Sequence, residues 1–259
     1  MVKARIFLAV LFLLAAIGWA CSYAAAGRGV KNKNMPQKSG TLGFALVELF
    51  TSEGCSSCPP ADEAVAKLVK GGQKNVFVLG FHVDYWDDLG WKDAFSNAAF
   101  SARQQQYGNA FRLNSVYTPQ AIVNGKTQFT GSDTKLLNAT VADALAIQPG
   151  NTLELAAKKG IGETVTIDFS IGKPDNTNTL NIALVQLNAK SNVKRGENSG
   201  RVLTHVNVVR GFKTFAVPGA TGQITLAIPA GLAADGCKII AFTQNAALQV
   251  TAAAEAAIQ

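Results

Sequence analysis

The sequence has 259 residues, of which 48% are hydrophobic and 16% are charged, a composition that can bury a large apolar core. Its four cysteines are too few to stabilise a small disulfide-rich scaffold. The net charge of +7 is modest, and no helix-turn-helix, zinc-finger or RNA-binding pattern accompanies it. The sequence therefore does not predict a nucleic-acid-binding protein.

The N-terminal residues 1–26 have the layout of a secretory signal peptide. Two basic residues precede an apolar run at residues 6–20, which is short for a membrane span, and three alanines ending at Ala26 form a signal-peptidase site. Cleavage there predicts a periplasmic or secreted protein with no stable membrane anchor. Lipidation of Cys21 and a retained anchor are the alternatives. Residues 27–40 are rich in Gly, Asn and Lys and are predicted to be a flexible leader.

Strands and helices alternate in the next predicted domain, at residues 41–149. This order implies a parallel pair of strands joined by a right-handed crossover, and a terminal hairpin and helix complete the order of a thioredoxin-like domain. Asn124-Gly125 predicts the hairpin turn, and Ser132 or Asp133 can cap the last helix. The predicted strands are 42–50, 76–83, 121–123 and 126–130. The first predicted helix begins at Pro59 or Pro60 and stops at Gly71-Gly72, and the others are 92–108 and the segment that ends before Pro149.

The pattern changes after Pro149, where short β-type runs alternate with polar loops. Such runs with few helices predict a β-rich, sandwich-like C-terminal domain at residues 150–259, and hence an α/β protein with two domains. Cys237 precedes the last run and is predicted to be a buried free thiol. The runs are residues 164–171, 179–187, 202–209, 223–228 and 238–243.

The segment Cys55-Ser56-Ser57-Cys58 lies between a predicted buried strand and a predicted helix. At such a position the helix N-terminus lowers the pKa of the first thiol, so Cys55 can attack a disulfide and Cys58 can resolve the mixed disulfide. Cys55 is expected to be the more exposed of the two. A structural disulfide and half of a metal site are alternative interpretations of the same spacing.

Thr118-Pro119 begins the predicted hairpin. In thioredoxin-like proteins a cis-proline at this point faces the Cys pair and helps to hold the substrate chain. Thr118 and Pro119 are therefore predicted to position the substrate, with a cis peptide bond between them. An ordinary trans proline in a loop is the alternative.

Aromatic and acidic residues are concentrated at residues 82–93, directly after the second predicted strand. Loops at the carboxyl ends of parallel strands are where sites of α/β proteins assemble, so Asp84, Trp86 and Trp91 are candidates for a substrate-docking rim. A capped helix start, with tryptophans filling a seam between domains, is the alternative. His82 is predicted to be a hydrogen-bonded core residue in preference to a ligand.

Two other segments supply candidates for lining the same site. Residues 193–210 are polar before they become a strand, and Glu197, Asn198, Arg201 and His205 are candidates to reach the Cys pair. A plain hairpin loop explains this segment equally well. Glu53 lies beside the pair and can either accept a proton or cap the loop.

Four separated motifs of this chain together resemble one family. They are VELFTSEGCSSCPPAD, HVDYWDDLGWKD, YTPQAIVNG and GENSGRVLTHVNVVR. They are similar to the secreted bacterial thioredoxin-like family catalogued as domain of unknown function 1223. The resemblance implies a thioredoxin-like domain with an appended β-rich part, exported from a bacterial cell. It also implies that residues 82–93 and 196–210 line one site, but it implies no particular reaction.

The leading hypothesis is an exported thiol–disulfide oxidoreductase whose only redox group is the Cys55–Cys58 disulfide. Its partners would be a protein or a small thiol or disulfide, together with a separate redox partner. One rival hypothesis is a copper-handling protein that uses the two thiols and a histidine. Another is a non-catalytic binding module in which the disulfide is structural. The residues do not predict the direction of electron transfer.

Overall fold

Strands dominate the part of the chain that the structure describes, which in this computed structural model is residues 43–217 and 219–259. The predicted signal peptide and leader lie outside the described residues. In chain order the elements are β1 (Ala45–Thr51), α1 (Pro59–Lys70), β2 (Val76–His82), α2 (Ala98–Ala110), β3 (Gln120–Val123), β4 (Thr127–Thr130), α3 (Thr134–Ala146), β5 (Leu153–Lys159), β6 (Thr164–Ile171), β7 (Thr179–Asn192), β8 (Val202–Ala216), β9 (Thr221–Ala227), β10 (Cys237–Gln244) and β11 (Val250–Ala257).

A large mixed sheet positions the Cys segment. Its eight strands run in the order β11-β10-β7-β8-β2-β1-β3-β4, and β5, β6 and β9 form a second, antiparallel sheet. Strands β1 and β2 are parallel, and β2 also pairs in parallel with β8, at Gly80 and Val208. The fold is therefore mixed α/β. The large sheet contains strands from both sides of residue 149, and the domain boundary there stays a prediction.

Both faces of the large sheet are buried at β1. Val47 and Leu49 point to the face covered by α1 and α3, whereas Leu46 and Phe50 point to the face covered by α2. This alternation is the period of two expected for a strand. Because β1 is held on both faces, the segment that follows Thr51 leaves the sheet from a rigid position.

The three-stranded sheet packs against the other end of the large sheet. Leu155, Ile167 and Leu226 of the small sheet share one apolar cluster with Leu184 of β7 and Ile239 of β10. Cys237, the residue predicted to be a buried free thiol, belongs to this cluster and forms no disulfide with another described cysteine. That prediction is confirmed.

Local signals located most elements correctly, and the exceptions have identifiable causes. Asn97 caps α2 by accepting the backbone N–H of Ala99 at 2.9 Å, so the helix begins six residues later than position 92. The sequence pattern did not indicate β5 and β11. The latter is largely alanine, which favours helices, and it is a strand because β10 offers it an antiparallel edge. No helix in the described ranges is long and apolar enough to span a membrane.

The hairpin turn predicted at Asn124-Gly125 is confirmed. Both residues have positive φ angles, of 50° and 63°, as the predicted turn chemistry requires. The Asn124 side chain also accepts the N–H of Leu46 at 2.7 Å and donates to the carbonyl of Phe44 at 3.0 Å. A Cβ atom on Gly125 would lie 1.9 Å from the carbonyl oxygen of Leu248. The turn therefore contacts both the start of β1 and the loop before β11.

A buried ion pair crosses the core on the α2 side. Arg103 donates from Nε to Glu48 Oε2 at 2.6 Å and from Nη2 to Glu48 Oε1 at 2.9 Å. Tyr107 donates to the same Oε1 at 2.5 Å, and its hydroxyl accepts the amide of Gln244 at 2.8 Å. The guanidinium also lies 4.9 Å from the ring centroid of Phe212. The network joins β1 and α2 to strands of the C-terminal half.

Candidate functional site at the Cys55–Cys58 disulfide

Cys55 and Cys58 form a disulfide between the end of β1 and the start of α1. Cys58 is the N-cap residue, and Pro59 and Pro60 open the helix, where a missing N–H leaves no intrahelical hydrogen bond unmade. Both cysteines are 0% exposed, so the expectation that Cys55 is the more accessible thiol is wrong for the disulfide state. The turn between them, at residues 56–57, is exposed.

The peptide bond between Thr118 and Pro119 is cis, as predicted. Gly131 lies between Pro119 and the first turn of α1, since a Cβ there would be 3.4 Å from Pro119 Cβ and 3.1 Å from Ala61 Cβ. Trp86 Nε1 donates to Thr118 Oγ1 at 2.9 Å. Trp86 also borders the Cys segment, because its Cβ would lie 3.1 Å from a Cβ on Gly54.

The loop between β7 and β8 holds the backbone of the Cys segment. The Asn198 amide nitrogen donates to the carbonyl oxygens of Glu53 and of Cys55, both at 2.9 Å. Glu197 Oε2 accepts the backbone N–H of Ser56 at 2.9 Å. Arg201 orients the Asn198 amide by donating to its oxygen at 2.8 Å. Segments more than 140 residues apart in sequence therefore meet at the disulfide.

A buried cluster of two histidines and three carboxylates lies beside the disulfide segment. His82 Nδ1 is 2.6 Å from Asp93 Oδ2, and the His82 ring packs edge-on against the His205 ring at 4.7 Å. His205 Nε2 lies 3.4 Å from Glu53 Oε1, and its Nδ1 lies 3.6 Å from Asp62 Oδ2. The His205 contacts are ionic, since neither ring nitrogen makes a hydrogen bond to a described residue.

The contacts between His205 and the neighbouring carboxylates shift the pKa values of His205 and Glu53. Burial lowers the pKa of His205, but Asp62 and Glu53 raise it more, and the result is about 9. Burial raises the pKa of Glu53, but His205 and Trp91 help to bring it below its usual value. Trp91 Nε1 donates to Glu53 Oε2 at 2.8 Å. At neutral pH the cluster therefore holds an imidazolium between two carboxylates.

Asp93 is charged for a similar reason and connects His82 to the Cys segment. Its Oδ2 accepts the backbone N–H of Glu53 at 2.8 Å as well as the His82 contact. Burial raises the pKa of Asp93, but the interaction with His82 and the backbone hydrogen bonds from Glu53 and Phe95 lower it further. His82 is thus a hydrogen-bonded core residue, as expected.

Most of the predicted site residues meet around the disulfide, and one of them points elsewhere. Asp84 accepts a hydrogen bond from Ser101 of α2 at 2.5 Å and has no hydrogen bond to the Cys segment. Asp62 was missed as a site member, because it resembled an ordinary acidic residue in the first turn of a helix. Asp93 belongs to the segment 82–93 that was expected to line the site, but it was not singled out there. No group of three or more His, Cys, Asp or Glu side chains in the described residues has metal-binding geometry.

A separate cavity of about 570 Å³ lies at the other end of β1. Phe44, Val123 and Asn124 contribute to its lining, as do Ile147 and Asn178. None of its lining residues belongs to the disulfide site.

Known proteins support a family and a fold for this chain. None of the curated proteins matches it. A crystal structure of protein AGR_C_4864 from Agrobacterium tumefaciens is similar over 82% of this chain and 92% of its own, with a TM-score of 0.62 and 29% identity. HBP35 of Porphyromonas gingivalis is similar in fold over 85% of this chain and 77% of its own, with a TM-score of 0.55 and 18% identity. The model of the family DUF1223, which is described as a protein of unknown function, matches residues 46–244, and the chain therefore belongs to this family.

Proposed function

We propose that this protein is an exported thiol–disulfide oxidoreductase that works with a thioredoxin-like arrangement of β1 to α3. The observation that carries the proposal is a disulfide in which Cys58 caps the N-terminus of α1. The helix dipole favours a thiolate at such a position. Backbone N–H groups do not contribute, since Pro59 and Pro60 have none and the N–H groups of Ala61 and Asp62 donate to the Cys58 carbonyl. The placement of Pro119 close to Gly131 and the first turn of α1, and of Thr118 against Trp86, supports a substrate-positioning role for these two residues. We also propose that the two sheets pack against each other in a sandwich-like arrangement.

The reaction needs no cofactor besides the two cysteines. In the oxidising direction for the protein, the Cys55 thiolate attacks a partner disulfide, forms a mixed disulfide and releases the first partner sulfur as a thiolate. The Cys58 thiolate then attacks the Cys55 sulfur, which re-forms the Cys55–Cys58 bond and releases the second partner sulfur. The partner gains two electrons and the protein loses them. The reverse sequence oxidises a partner dithiol.

A non-catalytic binding module is the second candidate function, because both cysteines are 0% exposed. A structural disulfide is commonly buried and has a reduction potential below about −300 mV. Equilibration with glutathione or dithiothreitol buffers measures this potential directly. A value above that limit favours the redox role.

Trapping tests the oxidoreductase proposal. In a Cys237→Ser background, which removes the third described thiol, Cys58→Ser should accumulate mixed disulfides in cell extracts, because Cys55 attacks and nothing resolves the product. Cys55→Ser should accumulate few. Non-reducing gels, with and without reductant, show the adducts. Equal trapping by the two variants would contradict the assigned order, and no trapping by either would favour the structural disulfide.

A further inference from the structure

The burial of the disulfide contrasts with the exposure of the turn that links its cysteines. Cys55 and Cys58 are 0% exposed, whereas Ser56 and Ser57 are exposed. A thiolate must approach a sulfur atom nearly in line with the bond that it breaks. The turn is thus accessible to a partner while the sulfur atoms are not, and the residues that hold the turn down determine access.

Asn198 is the central contact on this turn. Its amide nitrogen has two hydrogens, and each meets one carbonyl oxygen, of Glu53 or of Cys55, at 2.9 Å. Its amide oxygen accepts from Arg201 at 2.8 Å, and the residue is 0% exposed. Every polar atom of the side chain is therefore paired, and the Asn198 amide cannot rotate without breaking several hydrogen bonds.

Glu197 makes a second contact with the turn, and this contact is exposed to solvent. Its carboxylate accepts the N–H of Ser56 at 2.9 Å in an exposed position, and this interaction lowers the pKa of Glu197. The loop that carries both residues is closed by its own backbone, through hydrogen bonds between Val193 and Arg201 at 3.0 Å and between Gly200 and Val193 at 2.9 Å. Hydrogen bonds within the loop therefore help to hold its shape, in addition to its contacts with the turn.

We propose that residues 193–201 form a latch over the Cys55–Cys58 disulfide and that Asn198 is its positioning residue. The latch fixes the carbonyl groups on either side of Gly54 and so keeps the sulfur atoms beneath the turn. Release of Glu197 from Ser56 is the first step of opening, since that contact is the exposed one. The inference rests on the proposed function, in which the disulfide must meet a partner.

The rate of disulfide reduction by dithiothreitol tests the latch without any biological partner. One dithiothreitol thiolate attacks a cysteine sulfur and expels the other cysteine as a thiolate. The second dithiothreitol thiol then closes a cyclic disulfide and leaves the protein as a dithiol. Quenching with a maleimide and counting the added mass in the Cys237→Ser background follows the reaction.

Four variants separate the latch contacts from the rest of the loop. Asn198→Ala should accelerate reduction by about tenfold or more, and Glu197→Ala by about threefold, since hydrogen bonds to the turn are lost. Glu197→Gln keeps an oxygen acceptor and should remain within about twofold of the wild type. Ser199→Ala removes only a hydrogen bond to the carbonyl of Lys194 in the same loop, and it should also remain within about twofold.

The outcomes distinguish the latch from the proposed reaction. A measurable wild-type rate that none of the variants changes would overturn the latch and leave the oxidoreductase proposal standing. Faster reduction in Asn198→Ala and Glu197→Ala, with no partner trapped by Cys58→Ser, would support the latch and refute the oxidoreductase. If Asn198→Ala does not fold by circular dichroism, the comparison of Glu197→Ala with Glu197→Gln decides, and equal rates would overturn the latch.

Discussion

His82 Nδ1 lies 2.6 Å from Asp93 Oδ2, and both residues are almost fully buried. The same oxygen accepts the backbone N–H of Glu53 at 2.8 Å, two residues before Cys55. One carboxylate therefore ties the end of β2 to the segment that leads into the disulfide. Loss of the Asp93 carboxylate should therefore lower the stability of the whole fold.

Replacing Asp93 with asparagine should lower the free energy of unfolding by about 2–4 kcal/mol, because the buried pair then loses its charged acceptor. An amide has a single acceptor oxygen, so at least one of the donors at this site is left unpaired. Urea unfolding measures the change. Asp88→Asn, at an exposed position in the same loop, should stay within about 0.5 kcal/mol of the wild type. Equal effects of the two substitutions would contradict the prediction.

His205 should make stability depend on pH in the alkaline range. Its pKa is raised to about 9 in the folded protein from an ordinary value of 6.5. Its contribution is therefore fully present below pH 6.5 and is lost as the pH rises through about 9. The loss is on the order of 3 kcal/mol.

The measurement for His205 is the urea unfolding free energy at several pH values between 6 and 10. It is made in the Cys237→Ser background, because burial raises the pKa of that thiol and its titration also lowers stability as the pH rises. His205→Gln should flatten the pH dependence. A variant that keeps the wild-type slope would show that other groups cause it.

Glu48 and Arg103 should be strongly coupled in a double-mutant cycle. Arg103→Met leaves the Glu48 carboxylate buried without its partner and should cost about 3–5 kcal/mol. Glu48→Leu should be costly for the same reason, whereas the double variant should recover a large part of the loss. Unfolding free energies of the four proteins give the coupling. Additive effects would mean that the pair contributes little beyond packing.

Gly125→Ala should destabilise the protein by more than about 2 kcal/mol. The position has a φ of 63°, and the added Cβ would lie 1.9 Å from the carbonyl oxygen of Leu248. Strain in the turn and displacement of the Leu248 loop both contribute. Gly150→Ala is the matched control, since no atom lies within 4 Å of a Cβ there. Comparable thermal unfolding of the two variants would contradict this explanation.

The sequence predicted those features that depend on neighbouring residues. Asp133 caps α3 by accepting the N–H of Leu136 at 2.9 Å, and Asn124 opens the hairpin turn. Pro59 and Pro60 mark the start of α1. Each of these signals acts through backbone conformation or local hydrogen bonds, so a few adjacent residues suffice to recognise it.

Features that depend on contacts between residues far apart in the sequence could not be predicted from neighbouring residues. The side chain of Asp62 belongs to the site because β8 brings His205 opposite it, and nothing near Asp62 in the sequence indicates that strand. Segment 250–257 is a strand because β10 offers it a partner, against the preference of its alanines. Burial of both cysteines depends likewise on tertiary packing, which the spacing of the motif does not encode.

The parallel pairing of β2 with β8 makes the N-terminal half of the sheet depend on a strand from the C-terminal half. A chain that ended at residue 149 would leave the outer edge of β2 without the strand that pairs with it at Val208. An open edge of a sheet is a template for self-association, which natural proteins avoid by covering it. Residues 202–216 thus cover this edge of the N-terminal half. A fragment that ends at residue 149 should therefore self-associate more readily than the longer chain.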